Sequence, residues 1–120
     1  STKVNLGNYD SADVFLSASH GEGFGIPAVE AQMCGCPVIL PMNTAQVETR
    51  FIGWGVETHP YMPFDGATLW GRPDVAGLVS ALEASALAAV NRDTVRGLAL
   101  MYGVDKVFAV HFLPALEAFK

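Results

Sequence analysis

Two carboxylates mark the most chemically suggestive part of the sequence, a glycine-rich loop over residues 17–25: Glu22 lies in the loop, and we expect Glu30 in the first turn of the helix after it. The loop has three glycines within five positions, namely Gly21, Gly23 and Gly25. Glycine has no side chain, so a bulky anion can approach the backbone N–H groups closely. A helix is predicted directly after the loop, and its first N–H groups and dipole favour phosphate. The pattern predicts an anion-binding loop with two acids beside it.

The chemistry of this loop is limited by its lack of cations. No Lys or Arg lies between Lys3 and Arg50. A diphosphate bound here would therefore meet N–H groups and a helix dipole, and any side-chain cation must come from elsewhere. Two carboxylates would repel the phosphate, so they are useful only if each accepts hydrogen bonds from hydroxyl groups. A sugar ring and a ribose supply such hydroxyls.

Two familiar phosphate-binding patterns fit the loop poorly. A P-loop is excluded because no Gly-Lys-Ser/Thr follows the glycines. A dinucleotide fingerprint begins at Gly21-Glu22-Gly23, but its third glycine would fall at Ile26. The acid expected after the second strand is also absent directly after Leu40. These departures disfavour a dinucleotide-binding module of an oxidoreductase.

The loop is positioned by a predicted strand, helix and strand. Val14–Leu16 is a short apolar strand, Pro27–Cys34 is a helix with proline in its first turn, and Pro37–Leu40 is an all-apolar strand. Gly35 suits a left-handed end of that helix. Because no tight hairpin joins the strands, we expect a parallel α/β sheet with ligands at the carboxyl ends of its strands.

Weaker patterns predict the rest of the chain. We expect these elements: a helix end over 5–10, one or two helical turns over 44–50, a strand over 54–57, an ordered loop over 59–71, a helix over 73–90 with a core-facing apolar stripe, and two helices, Arg92–Tyr102 and Asp105–Phe119, separated near Gly103 and kinked at Pro114. Two or three strands leave bare sheet edges. We therefore predict that the chain is half of a larger doubly wound, Rossmann-like domain with several C-terminal helices.

Composition limits the classes of protein that fit. The chain has 120 residues, of which 51% are hydrophobic, so one domain with a sizeable core is expected. A net charge of −5 argues against nucleic acid as a partner. Cys34 and Cys36 are too close along the backbone for an ordinary disulfide, and no nearby residues complete a zinc site. We expect buried, reduced thiols, no metal site and a cytoplasmic location.

The segment GEGFGIPAVEAQMCGCPVI, residues 21–39, resembles the signature of the group-one family of retaining GT-B glycosyltransferases. That signature has an acid, Gly-Phe-Gly, an aliphatic residue, Pro, Glu-Ala, then Cys-Gly or similar before Pro-Val-aliphatic. Residues 12–17 resemble the strand that enters this loop. The similarity continues more weakly through Thr44-Ala45-Gln46-Val47-Glu48.

The resemblance implies a role for each matching residue. Glu22 would be catalytic: it would accept hydrogen bonds from the donor sugar and stabilise an oxocarbenium-like transition state. Glu30 would accept hydrogen bonds from the ribose. The residues implied in donor binding are Gly23, Phe24, Gly25, Ile26 and Glu30. Thr44 and Glu48 are further candidates at the border of the cleft.

The resemblance also implies what lies outside these residues. The chain would be a single fragment, the C-terminal part of the second, donor-binding GT-B domain, binding a UDP- or GDP-sugar without a metal or other cofactor. An Arg/Lys pair for the diphosphate and the N-terminal acceptor domain would lie upstream, and membrane contact is expected only through such absent parts. We would not expect the chain alone to transfer sugar. The alternative is a non-catalytic nucleotide-binding or structural half-domain descended from the same scaffold.

Other residues in and after the loop have simpler interpretations. For His20, a surface imidazole is favoured over a catalytic base. Four aromatic residues could stack on a sugar, but packing is the favoured interpretation for all of them. These residues are Trp54, Tyr61, Phe64 and Trp70.

Overall fold

Helices and strands alternate along the first half of the chain, as the sequence predicts. The computed structural model describes residues 2–61 and 70–119. Its strands are β1 (Phe15–Leu16), β2 (Val38–Pro41), β3 (Gly53–Val56), β4 (Thr58–Tyr61) and β5 (Trp70–Pro73). Its α-helices are α1 (Thr2–Ser11), α2 (Ile26–Met33), α3 (Gln46–Thr49), α4 (Val75–Leu87), α5 (Arg92–Ala99), α6 (Val104–Val107) and α7 (Leu113–Ala118).

The main sheet has three parallel strands in the order β1-β2-β3. Phe15 pairs with Val38 and Leu16 with Ile39, and β2 pairs with β3 from Val38–Gly53 to Pro41–Val56. Every residue of the central strand β2 is buried. The predicted α/β class with a small parallel sheet and several helices is confirmed, and it is consistent with a partial Rossmann-like GT-B half-domain.

Helices cover both faces of this sheet. Val38 and Leu40 pack with Ala28 and Ala31 of α2, and partly buried Tyr9 of α1 joins the same cluster. On the opposite face, Ile39 and Val56 pack with Ala81 of α4. Successive residues of a strand point to opposite faces, so an uninterrupted apolar β2 requires cover on both sides.

The predicted ordered loop over 59–71 is wrong at both ends. Residues 58–61 and 70–73 form an antiparallel hairpin, β4-β5, in which Pro60 pairs with Gly71. Residues 62–69, including Phe64, lie outside the described residues. Proline is tolerated in an edge strand. The pairing joins segments that carry no alternating apolar pattern, so the sequence alone did not reveal it.

Helix α4 differs from its prediction in length and exposure. It covers Val75–Leu87, and Asp74 is its N-cap, not part of its first turn. Ala81 is buried and Leu78 packs against the core as predicted, but four other residues of the predicted core-facing stripe are exposed: Val75, Val79, Leu82 and Leu87. A helix of this length extends roughly 20 Å, whereas the strands beneath it have four residues each. The sheet is therefore too short to cover the whole stripe.

The C-terminal helices separate where the sequence predicts. The segments Arg92–Tyr102 and Val104–Ala118 meet at an angle of 48° around Gly103. At Pro114, the predicted kink takes the form of a widened π-helical turn over Phe108–Phe112, directly before α7. A wider turn relieves the clash between a proline ring and the preceding carbonyl. Among the described residues no single helix has the length and apolar composition to cross a bilayer, and the bent pair meets both criteria only together.

Candidate functional site

The glycine loop starts at the carboxyl end of β1 and is shaped by short serine contacts. Ser17 continues the strand, because its N–H donates to Ile39 O at 3.0 Å. The Ser19 hydroxyl donates to Gly21 O at 2.9 Å and accepts from Gly21 N–H at 3.3 Å. These bonds form a tight turn immediately before Glu22.

A second turn, which follows β2, holds the loop from the side. Asn43 Nδ2 donates to His20 O at 2.6 Å. Thr44 Oγ1 accepts from Glu22 N–H at 2.9 Å, and Ala45 N–H donates to Glu22 O over a longer 3.5 Å. The carboxyl ends of two neighbouring parallel strands therefore meet at this point, where open α/β sheets bind ligands.

Glu22 is fixed through its backbone and open at its side chain. Both its N–H and its carbonyl oxygen are bonded to the turn after β2. The residue is exposed. Within residues 2–61 and 70–119, no group donates a hydrogen bond to its carboxylate. The predicted catalytic acid is thus held in place with its charged group available to an external partner.

The first turn of α2 is an open helix end. Gly25 is the N-cap at φ 83, and no side chain caps the helix. Its carbonyl accepts from Ala28 and Val29, whereas the predicted donor-binding N–H groups have no hydrogen-bond acceptor within the described parts of the chain. These groups belong to Gly23, Phe24, Gly25 and Ile26. Phe24 is 46% exposed and Ile26 is 59% exposed, so a ligand has access to this end.

Glu30 lies farther along α2 than predicted. The helix begins at Ile26, and its first turn contains no acid, so the expectation that Glu30 lies in the first turn is wrong. Glu30 is half-buried. The burial of Tyr9 on α1 raises the pKa of that tyrosine, and the negative charge of Glu30 raises it further. Glu22 is therefore bonded to the turn after β2, whereas Glu30 is a half-buried residue of α2.

The remaining candidates lie on the turn after β2 and on α3. The Thr44 side chain accepts from Glu22. Glu48 is exposed in the first turn of α3. Thr44 thus contacts the loop and Glu48 follows the turn that supports it, and their place at the border of a cleft stays a prediction.

A cavity of about 340 Å³ adjoins the loop on the hairpin side. Its lining residues are Asn43, Thr44, Thr58, Pro60, Trp70 and Gly71. Trp70 is 41% exposed there, which gives the wall an aromatic face. The predicted surface imidazole of His20 instead packs against the hairpin, with its ring centroid 5.1 Å from that of Tyr61 and 6.2 Å from that of Trp70. The hairpin creates that packing, so the sequence prediction missed it.

Two buried glutamines support the site, and sequence reasoning did not identify them. Gln32 Nε2 donates to Ala28 O and Thr49 O, and its Oε1 accepts from the N–H groups of Phe51 and Ile52. Gln46 is 1% exposed and its Nε2 contacts Ser17 Oγ at 3.5 Å. A lone amide side chain within the apolar pattern of α2 is the signal that could have revealed Gln32, since buried polar groups require partners.

Aromatic side chains connect the loop to the C-terminal helices. The Phe24 ring centroid is 6.0 Å from that of Tyr102, which is 4.9 Å from that of Phe51. A cavity of about 470 Å³ beside this cluster is lined by Phe24, Met101, Tyr102, Val107 and His111. No local sequence pattern predicts this contact, because the residues involved are far apart along the chain.

The two thiols lie at the other end of α2, as predicted. Cys34 and Cys36 are free and buried. Burial raises the pKa of both thiols, and Arg92 opposes the shift in each. Among the described residues no three His, Cys, Asp or Glu side chains are grouped to hold a metal ion; the expectation of a metal-free site stays a prediction.

The segment around the loop is similar to known proteins. Residues 7–50 match the family model for glycosyl transferases group 1. A curated protein, the D-inositol 3-phosphate glycosyltransferase of Mycolicibacterium gilvum (strain PYR-GCK), is 39% identical over 64 residues, which are 52% of this chain and 14% of that protein. No solved structure is significantly similar to the chain. These similarities support a group 1 glycosyltransferase segment that contains Glu22 and Glu30.

Proposed function

We propose that the chain forms part of the donor site of a retaining glycosyltransferase, which transfers a sugar from a UDP- or GDP-sugar to an acceptor. The family match at residues 7–50 supports glycosyl transfer. The observation that carries the proposal is the state of Glu22: its N–H and carbonyl oxygen are bonded to Thr44 and Ala45, whereas its carboxylate is exposed. A carboxylate held this way can act on a bound sugar.

In this proposal, Glu22 stabilises the transition state of sugar transfer. The anomeric carbon gains positive charge as the bond to the diphosphate breaks, and a fixed carboxylate stabilises that charge more than it stabilises the ground state. Preorganisation matters here because a side chain that had to be ordered during the reaction would lose part of its effect. The two backbone bonds to Glu22 supply part of that order in advance, because they fix the backbone from which its side chain extends.

The diphosphate binds at the open end of α2. The N–H groups of Gly23, Phe24, Gly25 and Ile26, which have no acceptor among residues 2–61 and 70–119, supply donors, and the helix dipole favours the anion. Arg50, the next cation along the chain after Lys3, donates to Gly53 O at 3.1 Å. We therefore propose that the cation for the diphosphate comes from an upstream Arg/Lys pair of a longer protein.

Glu30 binds the ribose of the nucleotide. Its half-buried position on α2 leaves the residue partly accessible, and ribose hydroxyls are suitable donors to its carboxylate. Because this interaction exists equally in the ground state and the transition state, it contributes to donor affinity, not to the chemical step. The two glutamates therefore have separable effects.

The other parts of the proposal concern the complete protein. The chain spans 14% of the length of the curated relative it matches, and we propose that the acceptor site belongs to an N-terminal domain of a longer protein. We propose that the reaction needs no metal or other cofactor, that no nucleic acid is involved, and that the protein is cytoplasmic. Buried thiols are suited to a reducing compartment.

The test compares two substitutions in the full-length protein. Glu22→Gln should lower kcat by roughly 100-fold or more, because it removes charge needed in the transition state. Glu30→Gln should raise the donor KM more than it lowers kcat. Steady-state kinetics with UDP- and GDP-sugars measure both, and NMR of the product's anomeric proton reports retention.

Glu83→Gln is the matched control, because Glu83 is exposed on α4. It should leave both kinetic parameters unchanged. Equal, small effects of Glu22→Gln and Glu30→Gln would contradict the assigned roles and would favour the non-catalytic nucleotide-binding or structural half-domain. An inverted product would overturn retention alone.

A further inference from the structure

Thr44 has a backbone conformation that is unusual for its residue type. Its φ is 50, and within the described residues it is the one non-glycine residue in the left-handed region. A β-branched side chain disfavours this region strongly, whereas glycine adopts it without steric cost. The presence of threonine here requires an explanation from the contacts of its side chain.

Two contacts of the Thr44 side chain are with the glycine loop. Thr44 Oγ1 accepts from Glu22 N–H at 2.9 Å. The Thr44 methyl group lies beside Gly21, 3.5 Å from where a Cβ of that residue would be. A glycine at position 44 would fit the backbone better and would supply neither contact. Strain of this kind persists where the surrounding structure requires the side chain, often at functional sites.

The neighbouring residue acts on the same loop. Asn43 Nδ2 donates to His20 O at 2.6 Å, and Gly71 N–H donates to the same oxygen at 3.0 Å. Two adjacent side chains of the turn after β2 therefore hold the loop on either side of Gly21. This leaves Glu22 with little freedom to rotate about its backbone.

We infer that Thr44 is a positioning residue that sets the direction of the Glu22 carboxylate by holding the Glu22 N–H in a strained turn. The inference rests on the proposed function for its catalytic consequence, although the hydrogen bond itself does not. The sequence predicts Thr44 only as a candidate at the border of the cleft. Its side-chain oxygen is instead committed to Glu22, so its effect on the reaction is indirect.

The test uses three substitutions of Thr44 in the full-length protein. Thr44→Val keeps the shape and removes the acceptor, and Thr44→Ser keeps the acceptor. Thr44→Gly removes the acceptor and also the strain, so it remains informative if the valine variant folds poorly. We expect kcat to fall about tenfold for Val and Gly and less than threefold for Ser. Thr94→Val, on the exposed face of α5, is the matched control and should not change kcat.

A double-mutant cycle with Glu22→Gln separates an indirect role from a direct one. If Thr44 acts through Glu22, Thr44→Val should cost less than threefold in the Glu22→Gln background. A full tenfold loss in that background, or a raised donor KM with unchanged kcat, would mean that Thr44 contacts the donor and would overturn the inference.

Amide hydrogen exchange resolved at Glu22 gives a readout that does not need activity. The Glu22 amide should be protected in the original protein and in Thr44→Ser, and it should exchange at least tenfold faster in Thr44→Val and Thr44→Gly. Equal exchange in all four proteins would overturn the inference. Protection without sugar transfer by the original protein would leave the hydrogen bond intact and overturn the proposed function, and with it any catalytic role of Thr44.

Discussion

The two ends of helix α2 are built in opposite ways. At the C-terminal end, Arg92 donates to the carbonyl oxygens of Tyr9, Asp10, Ala12 and Cys34 at 2.7–3.3 Å. Arg96 donates to Met33 O and Cys34 O. At the N-terminal end, Gly25 offers no side-chain cap and four consecutive residues have N–H groups without partners among the described residues.

We call the C-terminal end of α2 the structural end, because its carbonyl groups are bonded within the fold. The N-terminal end is the one that we propose binds the donor. Helix termini leave backbone groups without partners inside the helix, and those groups need partners from elsewhere. The C-terminal carbonyls of α2 find theirs in two arginines, which also suit the negative end of the helix dipole. The N-terminal N–H groups remain available to solvent or to a ligand. Helix α4 shows that the fold can cap an N-terminus, since Asp74 accepts from Gly77 N–H at 2.7 Å.

The largest effect on the structural end should come from Arg92. Arg92→Met keeps the length of the side chain and removes four charge-assisted hydrogen bonds to α1, the β1 connection and α2. We expect the free energy of unfolding to fall by about 3–4 kcal/mol. Chemical denaturation measures it. Arg72→Met, at an exposed position on β5, is the control, and an equal loss in both variants would contradict the structural role of Arg92.

Gly35 and Gly25 allow the two ends of α2 to be compared directly. Both have positive φ, 79 and 83, but a Cβ on Gly35 would lie 2.7 Å from Arg92 O, whereas one on Gly25 would meet nothing closer than 3.7 Å. Gly35→Ala should therefore destabilise the fold by about 2–3 kcal/mol. Gly25→Ala should cost about 1 kcal/mol of stability, and its main effect should be weaker donor binding.

Denaturation and donor titration of both alanine variants check this pair. Gly97→Ala is a suitable control, because a Cβ there would meet nothing within 4 Å. The comparison between the two ends would fail if Gly25→Ala were the more destabilising variant, or if Gly35→Ala alone weakened donor binding.

The thiols at the structural end should react slowly. Burial raises the pKa of Cys34 and Cys36, so the reactive thiolate is scarce below the ordinary thiol pKa. Because the folded pKa is raised, the stabilisation from the neutral thiols is complete below the unfolded pKa and is lost as pH rises through the folded pKa.

We expect labelling of the two thiols by a thiol reagent to be roughly tenfold or more slower in the folded protein than in urea. Rapid labelling of both thiols in the folded state would place that end of α2 at the surface.

The smallest effect should come from the capped N-terminus of α4. The hydrogen bond from His59 and the N–H of Gly77 lower the pKa of Asp74. Its contribution to stability is therefore complete above the unfolded pKa and is lost as pH falls through the lower folded pKa. Asp74→Asn keeps a capping oxygen, so it should be slightly less stable than the original protein at neutral pH and equally stable in strong acid. Urea midpoints at several pH values measure this, and a difference that persists in acid would show that the charge of Asp74 is not involved.

Local patterns predicted the elements that form the core of the fold. The uninterrupted apolar residues of β2, the proline at the start of α2 and the glycine after it each depend on neighbours in sequence. The pairing of β4 with β5 and the exposure of α4 were predicted wrongly, because they depend on segments distant in sequence and on the size of the sheet. The hairpin's effect on His20 was missed for the same reason.

The sequence by itself determined that a glycine loop carrying Glu22 would connect a strand to a helix, because apolar periodicity and glycine spacing are local properties. The tertiary structure decided how that loop is held: Asn43 and Thr44 reach it only because β1 and β2 are neighbours in the sheet. It also decided that Arg92 binds the ends of two helices. Such contacts join residues that are far apart along the chain, so their geometry exists only once the layers have packed.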